Sequence, residues 1–102
     1  MREVDLSTTF VYVVDSSLGM SKGKIAAQVS HVAMSLADNY NCHGRAIVLK
    51  ASHERFVELA ELGFVTCIRD AGLTQVPPGT MTCLGFKQTE ENKTLVSDLK
   101  LL

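Results

Sequence analysis

The chain is poor in the residues that build covalent or metal-held frameworks, with three cysteines, Cys42, Cys67 and Cys83, among 102 residues. Their odd number and wide spacing exclude a disulfide scaffold and a Cys-x-x-Cys metal motif, so they read as reduced, structural thiols. Long hydrophobic runs are also missing. The longest, Phe10-Val11-Tyr12-Val13-Val14, is five residues, far below the ~20 needed to span a bilayer. The charged start Met1-Arg2-Glu3-Val4-Asp5 lacks the apolar stretch of a signal peptide, so a cytoplasmic location with no membrane partner is expected. Net charge is scarce too. Ten Lys and Arg against eleven Asp and Glu leave -1, which excludes a generally basic nucleic-acid binder and requires that any phosphate be met by a local cluster. The segment Gly19-Met20-Ser21-Lys22-Gly23-Lys24-Ile25 has three residues between its glycines and Ile after Lys24, so it is not a P-loop, which needs four and then Ser or Thr.

What is present is an ordinary globular composition, 46% hydrophobic and 21% charged, in a length that fits one folded domain over residues 1–102, with residues 1–8 as a flexible start. Residues 9–14 are β-branched and aromatic, apolar on both faces, as in a central strand covered on both sides. Residues 23–40 turn helical, with Ile25, Val29, Val32 and Leu36 on one face. A second strand is read at 45–50 and a short helix at 53–62, capped by Ser52 and ended by Gly63. Further strands follow at 64–69 and 81–86, and a last helix at 90–98. The order β-α-β-α-β-β-α predicts a small α/β layer structure.

Two places carry candidate chemistry. On the first helix Lys24, Gln28, His31 and Ser35 fall within about 60° of one another at about 100° per residue, which is also the ordinary pattern of a solvated face. Lys22 and Lys24 stand at that helix's N-terminus, where the macrodipole disfavours cations unless a phosphate or carboxylate sits there as well. The second place is the loop Asp70 to Thr80, stiffened by Pro77 and Pro78. It sets a carboxylate and two hydroxyls, those of Thr74 and Thr80, at a strand end, although Asp and Thr are equally common as turn formers. His31 has no second His, Cys or carboxylate spaced to form a triad or metal site with it, and His43 and His53 read as loop and capping residues.

Three blocks together resemble the type 2 peptidyl-tRNA hydrolases of archaea and eukaryotes. They are Gly19-Met20-Ser21-Lys22-Gly23-Lys24-Ile25-Ala26-Ala27-Gln28-Val29-Ser30-His31, then Asp70-Ala71-Gly72-Leu73-Thr74-Gln75 with Pro78-Gly79-Thr80, and the ending Asp98-Leu99-Lys100-Leu101-Leu102. The resemblance implies a four-stranded mixed β-sheet flanked by helices on both faces, commonly in a homodimer. It implies a metal-independent, cofactor-free hydrolase that cleaves the ester between a peptide and the tRNA 3′ ribose, with peptidyl-tRNA and neither DNA nor a membrane as partner. Carried over by motif, the catalytic residues are Lys24, Asp70 and Thr74, and Lys22, Gln28, His31, Gln75 and Thr80 take binding or positioning roles. The alternative is a weak or inactive module of the same fold that binds tRNA or protein.

The chain departs from that pattern twice. Asp15-Ser16-Ser17-Leu18 stands where the family has Arg-x-Asp-Leu, and residues 39–44 are shorter than the family's connection.

Overall fold

The computed structural model describes residues 3–41, 43–72 and 76–102. Its strands are β1 (Asp5–Asp15), β2 (Gly44–Ala51), β3 (Thr66–Arg69), β4 (Met81–Lys87) and β5 (Lys100–Leu101), and its helices are α1 (Lys22–Leu36) and α2 (His53–Ala60). A short 3-10 helix, Ser16–Leu18, links β1 to α1. The five strands form one mixed sheet in the order β3-β4-β1-β2-β5. β1 and β2 are parallel, and β4 runs antiparallel to both β1 and β3, so β1, β2 and β3 point the same way.

The all-apolar run in β1 sits at the centre of the sheet because both of its faces are covered. On one face Val32 and Leu36 of α1 pack against Phe10, Tyr12, Val14 and Cys83. On the other, Phe56 and Leu59 of α2 pack against Val11, Val13, Leu49, Leu84 and Phe86. The opposite faces follow from the topology. The crossover from β1 to β2 moves toward one edge of the sheet and that from β2 to β3 moves back past β1, so connections of one hand place their helices on opposite sides.

Three expectations need correction. The sheet has five strands rather than four, because Lys100 and Leu101 pair antiparallel with Lys50 and Leu49. Residues 90–98 are not a helix but consecutive turns, with Asn92, Leu95, Ser97 and Leu99 each donating a backbone bond to the carbonyl three residues earlier. Thr89 and Asn92 start this run by exchanging side-chain bonds with each other's backbone N–H, a local alternative to the helical ladder. The first helix ends at Leu36 and the third strand begins at Thr66, two residues after Phe64. Cys67 and Cys83 are free, and burial pushes the Cys83 thiol up to about 12. Cys42 lies outside the described residues.

Candidate functional site

The loop that follows β1 brings the chain to the N-terminus of α1, where Ser21 caps the helix and its Oγ accepts from Lys24 N at 3.3 Å. Lys24 and Gln28 are four residues apart and share the helix face that lies over β3 and β4. Asp70 follows the last residue of β3, so its carboxylate meets that face at the carboxyl end of the parallel strands, the usual place for a site in open α/β sheets.

Its backbone is held at both ends. Asp70 N donates to Thr80 O at 2.8 Å, and Gly79 N donates to Asp70 O at 2.7 Å. Gly72 N donates to Asp70 Oδ1 at 2.6 Å, from a residue at φ +80 whose missing Cβ would collide with Pro78. Only glycine combines that backbone conformation with that close approach.

On the other oxygen, Asp70 Oδ2 accepts from the Lys24 ammonium and from Gln28 Nε2 at 2.8 Å. Gln28 Oε1 in turn accepts from Thr82 Oγ1 of β4 at 2.9 Å. Thr82 therefore fixes which way the Gln28 amide points, and the amide fixes Asp70. The side chains of Lys24 and Asp70 are only 10% and 5% exposed, so little water screens the pair. The Lys24 hydrogen bond, then the Gly72 N–H, hold the Asp70 carboxyl below its ordinary value of 3.8 against an opposing effect of burial.

The carboxylate expected at the α1 N-terminus is thus Asp70. Lys22 is exposed in the first turn of α1 and lines a different groove with Ile25, Val29 and Leu101. His31 is exposed two turns beyond Lys24, beside Met34, Ser35 and Asp38, and is not part of the hydrogen-bonded group. Thr80 contributes its carbonyl to Asp70 N, with its side chain half-buried. Thr74 and Gln75 lie outside the described residues.

Sequence reading missed Thr82. The available signal was a hydroxyl within the otherwise apolar run of β4, on a strand entered directly from the Asp70 loop. It also missed the pairing of His53. Asp15 is buried at the end of β1, where Oδ1 accepts from Ser17 N at 3.0 Å and Ser17 Oγ at 2.6 Å, and Oδ2 lies 2.8 Å from His53 Nδ1. Burial raises the Asp15 carboxyl, but the bonds from Ser17 and His53 outweigh it and leave it lowered.

A family model described as "Peptidyl-tRNA hydrolase PTH2" matches residues 8–102, which include every residue of this network. The chain belongs to the PTH2 family of peptidyl-tRNA hydrolases. Its archaeal relatives include the peptidyl-tRNA hydrolase of Thermococcus sibiricus, 38% identical over 90% of this chain and 95% of that protein. The enzyme of Sulfurisphaera tokodaii is 37% identical over 95% of this chain and 100% of its own length. That of Saccharolobus solfataricus is 37% identical over 90% and 97%. At the altered segment after β1, Asp15, Ser17 and the exposed His53 are joined by hydrogen bonds at the ends of β1 and β2.

Two expected results arise from this geometry. Thr82→Val leaves Gln28 Oε1 buried without its donor, which costs about 1–3 kcal/mol. The loss is visible as a lower Tm and a several-fold lower kcat, while Thr82→Ser restores both because it keeps the hydroxyl. The second concerns acid. A carboxyl whose folded pKa lies below its unfolded one stabilises fully above the unfolded value, and that contribution disappears as pH falls through the folded one. Asp70 therefore supports the fold fully above its ordinary value of 3.8, and that support fades below it, disappearing as pH falls through the lower folded-state value. Asp70→Asn, measured by denaturant unfolding between pH 6 and 3, loses less stability on acidification than the wild type. An equal loss in both overturns the assignment.

Proposed function

We propose that this chain hydrolyses the ester between a peptide, or N-blocked aminoacyl group, and the 3′ ribose of tRNA, in the cytoplasm, as one catalytic domain over residues 1–102. The observation that carries this reading is the Thr82–Gln28–Asp70–Lys24 network. It holds an ammonium, nearly shut off from solvent, at a helix N-terminus, in a chain of the PTH2 family.

Water attacks the ester carbonyl carbon, the bond from that carbon to the ribose 3′ oxygen breaks, and a proton passes to the departing oxygen. The products are a free peptide carboxylate and tRNA with its 3′ hydroxyl restored. Lys24 stabilises the negative charge that develops on the carbonyl oxygen. Asp70 is a poor proton acceptor, because the groups that bind its oxygens favour the ionised form and lower its basicity. Its role is to aim Lys24 and orient the water. Thr74, by its motif position, helps to place that water, Gln75 and Thr80 contact the substrate beside it, and Lys22 and His31 meet parts of the substrate farther from the ester. Gln28 acts through Asp70 as a positioning residue. The homodimer is carried over from the family resemblance alone and is checked by sedimentation equilibrium.

The deciding assay follows release of free tRNA from an N-acetylated aminoacyl-tRNA, with the unblocked aminoacyl-tRNA as control. Selective cleavage of the blocked ester establishes the activity. Failure of folded wild-type protein to cleave it overturns the reading in favour of a module that binds without turnover.

A further inference from the structure

At the far side of the same end of the sheet, Lys50 of β2 and Lys100 of β5 are directly opposed in the antiparallel ladder. Opposed residues leave the sheet on one side with Cβ atoms about 4.5–5.5 Å apart, and like charges so placed repel. Both lysines are exposed, and among the described residues neither ammonium has a carboxylate partner. They line a shallow depression with Ser16, Ser52, Arg55 and Asp98. Its one carboxylate there, Asp98, is engaged by Arg55 Nε and Nη2 at 3.2 and 3.3 Å. An edge strand can use a lysine to deter unwanted pairing, but Lys50 is on β2, which has strands on both sides, so edge protection does not account for it. A doubled, unneutralised positive charge in a chain of net charge -1 fits a ligand that supplies negative charge from outside.

We propose that Lys50 and Lys100 form a phosphate-binding site for the acceptor arm of the tRNA, separate from the ester-cleaving network. This rests on the hydrolase reading for the identity of the nucleic acid. Lys50 is the penultimate residue of β2 and Asp70 follows the end of the parallel β3, so both stand at the same end of the sheet. β2 and β5 are three and four positions from β3 in the strand order. At about 4.8 Å per strand the lysines lie about 14–19 Å from Asp70. Phosphates recur about every 3.4 Å along a stacked strand, so that span corresponds to about four to six nucleotides. Cations so far from the scissile ester meet backbone phosphates, not the peptide. Contact with the backbone alone is also independent of base identity.

The test is the salt dependence of binding to deacylated tRNA, read by filter binding from 50 to 300 mM KCl, which needs no turnover. Each lost phosphate contact reduces the slope of log affinity against log salt by about one. Lys50→Gln/Lys100→Gln is expected to flatten the slope by about two, Lys50→Gln alone by about one, and Lys50→Arg/Lys100→Arg to keep it. Lys87→Gln is the control, since Lys87 ends β4 at the opposite end of the sheet and lies over the Tyr40 ring. An unchanged slope in the double glutamine variant, or equal flattening by Lys87→Gln, overturns the proposal. A wild-type protein that binds tRNA but cleaves no ester overturns the hydrolase reading and leaves the slopes to decide this site on their own.

Discussion

Lys24→Met and Asp70→Asn each lower single-turnover hydrolysis of an N-acetylated aminoacyl-tRNA by about a hundredfold or more, with the fold retained. Removing one preorganised donor from a developing oxyanion typically costs 10²–10³ in rate, and Lys24 is the donor held in place here. Met matches the length and apolar stem of the lysine, so the change removes the charge and leaves the packing of α1 over β4. Asn keeps the shape of Asp70, but it has one acceptor oxygen where the carboxylate has two. It must then present an NH2 group either to the Lys24 ammonium or to Gly72 N. The ammonium is no longer aimed, and it stays in a site with little water to compensate it. Circular dichroism melts run beside the rate measurements separate lost chemistry from lost structure. Wild-type turnover in either folded variant removes that residue from the mechanism.

Gly85→Ala destabilises the core beneath α1 by a single added carbon. A Cβ at Gly85 would stand 2.6 Å from Val32 Cγ1 and 2.9 Å from Tyr12 Cδ1. Val32 and Tyr12 are both buried in the core beneath α1, so neither has space to move into. Overpacking of this kind costs about 1–3 kcal/mol, which lowers Tm by about 5–20 °C in a domain of this size. Any relief by lifting α1 also moves Lys24 and Gln28 away from Asp70, so activity falls along with stability. Gly63→Ala provides the contrast, because a Cβ there meets nothing within 4 Å, and its effect stays within about 0.5 kcal/mol. Equal melting temperatures for the two variants would show that α1 does not rest on β4 at Gly85.

Much of the architecture is written in local patterns. The apolar run of β1 announces a strand covered on both faces, and Ile25, Val29, Val32 and Leu36 announce the buried stripe of α1, because period and burial are properties of a few consecutive residues. Ser52 caps α2, as its place just before that helix suggests, with Oγ accepting from Arg55 N at 3.3 Å. Local reading failed at residues 90–98, where helix-compatible residues are turned aside by the Thr89–Asn92 exchange and by burial of Val96 against the α2 side of the sheet. It failed again at β5, since two residues carry no periodicity and are a strand only because β2 has an unpaired edge to offer them.

The sequence by itself determined that Lys24 and Gln28 share one helix face, that a cation at the α1 N-terminus calls for a nearby anion, and that Asp70 stands on a stiff loop at a strand end. Only the tertiary structure decided that these belong together, that Asp70 is the anion at Lys24 from 46 residues away, and that Thr82 completes the network. It also set Lys50 against Lys100, and Asp15 against His53. The physical reason is that spacing along the chain fixes which side chains share a face of one element, whereas contacts between elements depend on strand order and register, which are set by how the whole core packs.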